Sequence, residues 1–245
     1  MSMWFDTFLA IAAILAGALA AVTGFGIGSL LTPILALQFD TRLAVAAVSV
    51  PHVIGTALRF LLLKGGVDRR VLWSFGLTSA AGGLAGAALQ GWLGNRWLDV
   101  VLGALLLFAA LSQATGLARR MHFRGAVAWL AGAFSGLLGG LVGNQGGIRS
   151  AALLGFDLPK HTFVATATAI GLFVDGARMP VYVATQGADM ASIWPLIALA
   201  SVGVCAGTVL GSRTLARIPE IWFDRLLAMV LALLGVVMMF RGVRS

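Results

Sequence analysis

Three arginines, Arg59, Arg149 and Arg178, fall inside apolar stretches of the chain, whereas its other Lys and Arg residues lie between such stretches or at their ends. Within a membrane helix an arginine costs at least about 2.5–3.5 kcal/mol on insertion scales, so those that occur there face a cavity, a partner or a pathway. A guanidinium is also a planar fork of donors that matches carboxylate, phosphate and sulfonate oxygens. Arg149 stands just after the tract Gly143-Asn144-Gln145-Gly146-Gly147. A helix beginning there presents free N–H groups and the positive end of its dipole, and glycines let an anion approach the backbone. Asn144 and Gln145 add neutral donors. A second tract, Gly24-Phe25-Gly26-Ile27-Gly28, repeats the pattern earlier in the chain. The chemistry suited to this set is the binding of a small anion. The candidate contacts are Arg149, Asn144, Gln145, Gly143, Gly146, Gly147, Gly24, Gly26 and Gly28, with Arg59 and Arg178.

Structural roles compete with that reading. Arg59 lies near the end of its apolar run and could snorkel to lipid headgroups. Arg178 follows Asp175 by three residues, a spacing that puts both on one helical face as a neutralising pair. His52 precedes Arg59 by seven residues and so shares its face. It is a candidate proton carrier, as is Asp175, against the plainer reading of a packed hydrogen-bonding group. His122 and His161 read as solvated loop residues, and Cys205 as a packed thiol that excludes an intrachain disulfide. There is no metal-ligand cluster, no nucleophile with a base and no nucleotide-binding loop, so neither an intramembrane enzyme, a cofactor-dependent protein nor an ATP-driven pump is expected.

The elements that would position these residues follow from composition. Hydrophobic residues make up 60% of the 245 positions and charged residues 11%, with a mean hydropathy of +0.97. A soluble domain needs far more polar surface. At roughly 20 apolar residues per crossing there is room for about eight to ten passes. The net charge of +8 sits in short clusters between apolar runs, as membrane loops have it, which argues against a nucleic-acid partner. The N-terminus has no basic residue ahead of its first apolar run, unlike a cleavable signal peptide.

Ten apolar runs are expected as helices: 5–23, 26–38, 43–63, 71–93, 97–117, 123–142, 146–156, 161–184, 191–212 and 222–241. Tryptophans 4, 73, 97, 194 and 222 fall near run ends, as interfacial anchors do. Runs 26–38 and 146–156 would reach only about 16–20 Å, and each follows a glycine tract. Short, glycine-interrupted segments at corresponding positions of two halves mark a transporter's binding site. Laying Gly24 on Gly143 also aligns Gly28 with Gly147, Val45 with Val164, Ser49 with Thr168 and Arg59 with Arg178. After small insertions, Asp68 meets Asp189, Trp73 meets Trp194, Gly86 meets Gly207 and Trp97 meets Trp222. The reading is one all-α, polytopic membrane domain of two homologous repeats, 1–118 and 119–245.

If each half opens with a short-helix hairpin tipped by its glycine tract, the number of crossings per half is odd and the repeats are inverted. One side then carries Lys64, Arg69, Arg70, Arg119, Arg120, Arg124, Lys160, Arg213, Arg217 and Arg225, and the other only Arg42, Arg96, Arg241 and Arg244. The alternative, eight full spans in parallel halves, gives a weaker bias. The positive-inside rule therefore favours inverted repeats with the N-terminus outside.

The tract Gly24-Phe25-Gly26-Ile27-Gly28-Ser29-Leu30-Leu31-Thr32-Pro33 and its echo from Gly136 to Gly147 resemble the TauE/SafE family of sulfite and sulfonate exporters. In that family a glycine-rich tract followed by proline recurs in both halves. The small-residue stretches Ala44 to Ser49 and Val164 to Thr168 match the segment that comes next. The resemblance covers essentially the whole chain. It departs in the second half, where Asn144 and Gln145 interrupt the glycines, Ala152 stands where the first half has Pro33, and Arg149 adds a charge. What the resemblance implies is a secondary transporter of the bacterial inner membrane that exports a sulfur-containing oxyanion or organosulfonate by alternating access. Its expected partners are a small anion and the lipid bilayer, with self-association left open.

Overall fold

The computed structural model describes residues 3–117, 125–144, 146–214 and 220–244. Arg119, Arg120, His122, Arg124, Gln145 and Arg217, singled out by the sequence, lie outside these. Among the described residues the chain forms ten helices: α1 (Met3–Thr23), α2 (Ile27–Ala36), α3 (Thr41–Leu63), α4 (Arg69–Gln90), α5 (Asn95–Thr115), α6 (Ala126–Val142), α7 (Gly146–Leu154), α8 (Lys160–Ser192), α9 (Trp194–Thr214) and α10 (Glu220–Arg244). Asp68 caps α4 by accepting from the Val71 N–H, and the helix passes through a π-helical stretch at Leu72–Gly76.

Each apolar run thus becomes one helix, and the main departure is α8. Its run was expected to end near residue 184, with a polar connection up to 191. Instead the helix continues to Ser192 and breaks at Ile193, before Pro195 in the first turn of α9. Thr185 to Asp189 look like a linker by composition. Gln186, however, is buried against α4, where its Nε2 donates to Gln90 Oε1 at 3.2 Å, so tertiary contact holds that turn helical.

Among the described residues six helices, α1, α3, α4, α5, α9 and α10, are long and apolar enough to cross a membrane. That is fewer than the number of passes composition allowed. Helices α2 and α7 are too short, as expected, α6 has only 17 residues, and α8 carries Asp175 and Arg178 in its middle.

Packing interleaves the two halves of the chain. The closest partners are α1 with α9 and α4 with α6, both joined along glycine-lined seams. A Cβ built on Gly207 would lie 1.9 Å from the Ile14 carbonyl oxygen, and one on Gly86 2.1 Å from that of Leu137. Small residues at such seams let helix backbones approach where lipid supplies no hydrophobic drive. Under the sequence alignment of the halves, α1 corresponds to α6 and α9 to α4, so these two pairings exchange.

The helices that meet their own counterparts, α3 with α8 and α5 with α10, run antiparallel. Along α3 and α8, Ser49 contacts Met179, His52 contacts Asp175 and Arg59 contacts Thr168. Along α5 and α10, Gly242 faces Arg96 and Val100, whereas Gly235 faces Gly103 and Leu107. The loop after α3 lies beside the start of α8, where the Asp68 N–H donates to Thr166 Oγ1 at 2.9 Å. At the other end, Arg241 of α10 pairs with Asp99 of α5 at 3.2 Å and donates to the Phe39 carbonyl after α2. Asp99 also accepts from Thr41 at the start of α3.

Candidate functional site

The two glycine tracts lie against each other at the centre of the molecule. Gly26 has φ 128° and Gly143 φ 71°, backbone conformations that glycine adopts without the cost a Cβ brings. These turns end α1 and α6 and let α2 and α7 begin at once. A Cβ on Gly28 would lie 2.0 Å from the Gly143 carbonyl oxygen, and one on Gly146 2.4 Å from Phe25 Cβ. Across the same crossing the Ser29 hydroxyl donates to Asn144 Oδ1 at 2.9 Å. The N-terminal ends of α2 and α7, with their free N–H groups, are thereby brought into one region.

Arg149, in the first turns of α7, is 2% exposed. Its Nη2 donates to the Gly24 carbonyl at 3.3 Å, while Nε and Nη1 have no hydrogen-bond partner. At the Gly28–Gly143 contact, Asn144 Nδ2 and Thr32 Oγ1 are likewise buried without partners. Unmet donors on a buried cation are costly, and those of Arg149 lie in the first turns of α7.

Arg59 does not snorkel. It is 3% exposed and points inward from the last turns of α3. Its Nε donates to Thr168 Oγ1 at 2.9 Å, its Nη1 to the Ala20 carbonyl at 2.6 Å and its Nη2 to the Gly24 carbonyl at 3.4 Å. Arg59 and Arg149 therefore share the Gly24 oxygen and stand side by side. Arg178 is placed differently. Its Nη2 pairs with Asp175 Oδ1 at 2.8 Å, its Nε donates to the same oxygen at 3.1 Å, and its Nη1 donates to the Gly139 carbonyl. Gly139 is the counterpart of Ala20 in the alignment of the halves, so the two arginines hold equivalent carbonyls. They do not meet. Arg59 lies level with Thr168, ten residues before Arg178 along α8, which is roughly 15 Å of helix.

His52 and Asp175 are buried at the α3–α8 contact, 2.7 Å apart from Nδ1 to Oδ2. Asp175 thus joins His52 on one oxygen to Arg178 on the other. The structure brings together Arg59, Arg149, Asn144, Gly24, Gly28, Gly143 and Gly146, with His52, Asp175 and Arg178 in an adjoining layer. Gly147 lies in the first turn of α7, and Gln145 lies outside the described residues.

Several polar partners of the site are not among the residues that the sequence singles out. Ser29 and Thr168 fix Asn144 and Arg59. Tyr182, the only tyrosine of the chain, is fully buried, donates to the Gly140 carbonyl and lies under the Arg178 guanidinium, 5.9 Å from ring centroid to Cζ. A turn farther along, Gln186 meets Gln90, whose Nε2 donates to the Leu141 carbonyl at 2.9 Å. Their signal was available: Asp175, Arg178, Tyr182 and Gln186 recur every three to four residues, which is one face of a helix. Among the described residues no group of three or more His, Cys, Asp or Glu side chains could hold a metal ion.

A family model described as sulfite exporter TauE/SafE matches residues 9–238. No curated protein matches the chain, and no solved structure matches it.

Proposed function

Since the chain belongs to the sulfite exporter TauE/SafE family, a family of multi-pass membrane transporters and not of enzymes, we propose that it exports a small sulfur-containing anion as a secondary transporter. The cargo binds where the glycine tracts cross, against Arg149 and Arg59, with Asn144 and the glycines Gly24, Gly26, Gly28, Gly143, Gly146 and Gly147 allowing close approach. The observation that carries this reading is the buried Arg149 guanidinium with two unpartnered nitrogens at the start of α7. Arg178 serves the site indirectly, by holding Asp175 against His52, and those two are the candidates for coupling to protons.

Transport proceeds by alternating access between two inverted repeats, 1–118 and 119–245. Three features support the inversion. Counterpart helices pack antiparallel, the loop after α3 lies beside the start of α8, and the exchange of partners obeys the sequence alignment. Discontinuous short helices aiming N-termini at an anion near the repeat interface are the usual device of such carriers. The membrane is a bacterial inner membrane with Lys64 and Arg70 inside, an orientation that the basic ends of the helices support.

A melting screen of the purified protein with sulfite, thiosulfate, sulfoacetate, taurine and simple carboxylates tests the binding claim. A ligand at a hundred times its Kd stabilises by about 2.7 kcal/mol. At least one sulfur oxyanion is expected to raise the Tm of the wild type and to have no effect on Arg149→Ala, which should still insert and melt cooperatively. An undiminished shift in Arg149→Ala would remove this residue from the site.

A further inference from the structure

The central cluster carries more positive charge than it neutralises. Arg59, Arg149 and Arg178 are 3%, 2% and 1% exposed, and the one carboxylate among them is Asp175, itself 1% exposed. Asp175 is committed to Arg178 and His52. Neither Arg59 nor Arg149 forms an ion pair with a carboxylate among the described residues; their hydrogen bonds go to Thr168 and to the carbonyls of Ala20 and Gly24. Two buried guanidiniums thus face each other across one carbonyl oxygen, and the N-termini of α2 and α7 add positive potential to the same region. In a low-dielectric interior this is unfavourable until matched by negative charge.

The donors are uncommitted as well as the charge. A guanidinium has five N–H donors. Arg149 spends one of them, on Gly24, and its Nε and Nη1 are free; Arg59 spends three. Asn144 Nδ2 supplies further donors a helix end away.

Resting on the proposed anion site, we infer that Arg59 and Arg149 act as a dyad selecting cargo of formal charge two minus, a dianionic oxyanion or sulfocarboxylate, over monoanions of the same size and shape. A dianion neutralises both guanidiniums, whereas a monoanion leaves one uncompensated. Discrimination therefore comes from charge, by penalising the under-charged ligand.

Sulfoacetate and its carboxyl methyl ester form the test pair, because the ester keeps the sulfonate, adds a single methyl group and loses one charge. Competition or melting titrations of the full-length protein in detergent, at fixed pH and ionic strength, should show sulfoacetate binding roughly tenfold or more tightly than the ester. Arg59→Gln should bring the two ligands to similar affinity, and Arg59→Lys, which keeps the charge, should retain the preference; it also serves if the neutral variant fails to fold. Equal affinity of the two ligands in the wild type would overturn the dianion inference while leaving an anion site in place. A preference that persists in Arg59→Gln would overturn the dyad. Binding of neither ligand, nor of sulfite or thiosulfate, would remove the anion site itself and the inference with it.

Discussion

Asp175 is the residue on which most of the buried polar structure turns, since among the described residues no other carboxylate pairs with Arg59, Arg149 or Arg178. Removing one partner of a buried ion pair costs about 3–5 kcal/mol, because the other charge is left unpaired in a medium that solvates it poorly. Asp175→Asn is therefore expected to lower the chemical or thermal unfolding stability in detergent by that order. Adding Arg178→Leu should recover part of the loss, since the uncompensated charge goes with it. A single variant as stable as the wild type would show that the Arg178 guanidinium finds its neutralisation elsewhere. His52 was marked in the sequence by its position alone; which group it faced depended on how α3 met α8. The geometry makes His52 a partner of Asp175 at 2.7 Å, so His52→Gln should alter transport more than stability, read as flux against melting temperature. If His52 is only a packed group, both should change together.

At the scale of elements, the short helices and their glycine turns decide where the site lies. Gly28 is the closest point of the crossing, because any side chain there meets the Gly143 carbonyl oxygen. Gly28→Ala should leave the protein inserted and folded, at some cost in stability, but push the tracts apart by about 1 Å or more, since its Cβ would lie 2.0 Å from the Gly143 carbonyl oxygen, abolishing the ligand-induced rise in Tm. Gly65→Ala is the control, since nothing lies within 4 Å of its Cβ direction, and it should change neither property. A Gly28→Ala protein that binds its anion normally would mean that the crossing is a structural joint and not part of the site. The glycine seams of α1 with α9 and α4 with α6 follow the same steric rule with a different result. Ala at Gly86 or Gly207 is expected to cost about 1–3 kcal/mol of packing by forcing the helices apart, seen as a lower Tm with ligand response preserved.

For the whole molecule, the decisive question is how the halves are related across the bilayer. In the structure the loop after α3 adjoins the start of α8, and Arg241 at the end of α10 reaches Phe39 and Asp99 at the opposite end. With Cys205→Ser as background, which removes the single native cysteine, Arg70→Cys and Lys160→Cys should be labelled by an impermeant thiol reagent from the same face, and Arg96→Cys from the other. Parallel halves would put Arg70→Cys and Lys160→Cys on opposite faces, so that pattern would end the inverted-repeat reading.

Among the described residues, the number of helices, the location of each apolar run, the glycine interruptions and the three arginines within those runs were determined by the sequence itself, because the bilayer demands long apolar helices and penalises a buried charge wherever it falls. Local composition also marked the family resemblance that the match over residues 9–238 bears out. Partnership was decided only by the tertiary structure. The repeat makes Arg59 and Arg178 counterparts, yet the antiparallel contact of α3 with α8 holds them about ten helical positions apart and sets Arg59 beside Arg149 instead. Thr185 to Asp189 read as a linker until Gln90 gave Gln186 a buried partner. In both cases the deciding interaction joins residues distant in sequence, and polar spacing along one helix does not say which residue of another helix it meets. The arginine that the sequence singled out first, Arg149, was legible as an anion contact from its helix end. That its partner would be Arg59, across a single carbonyl, required the two tracts to cross.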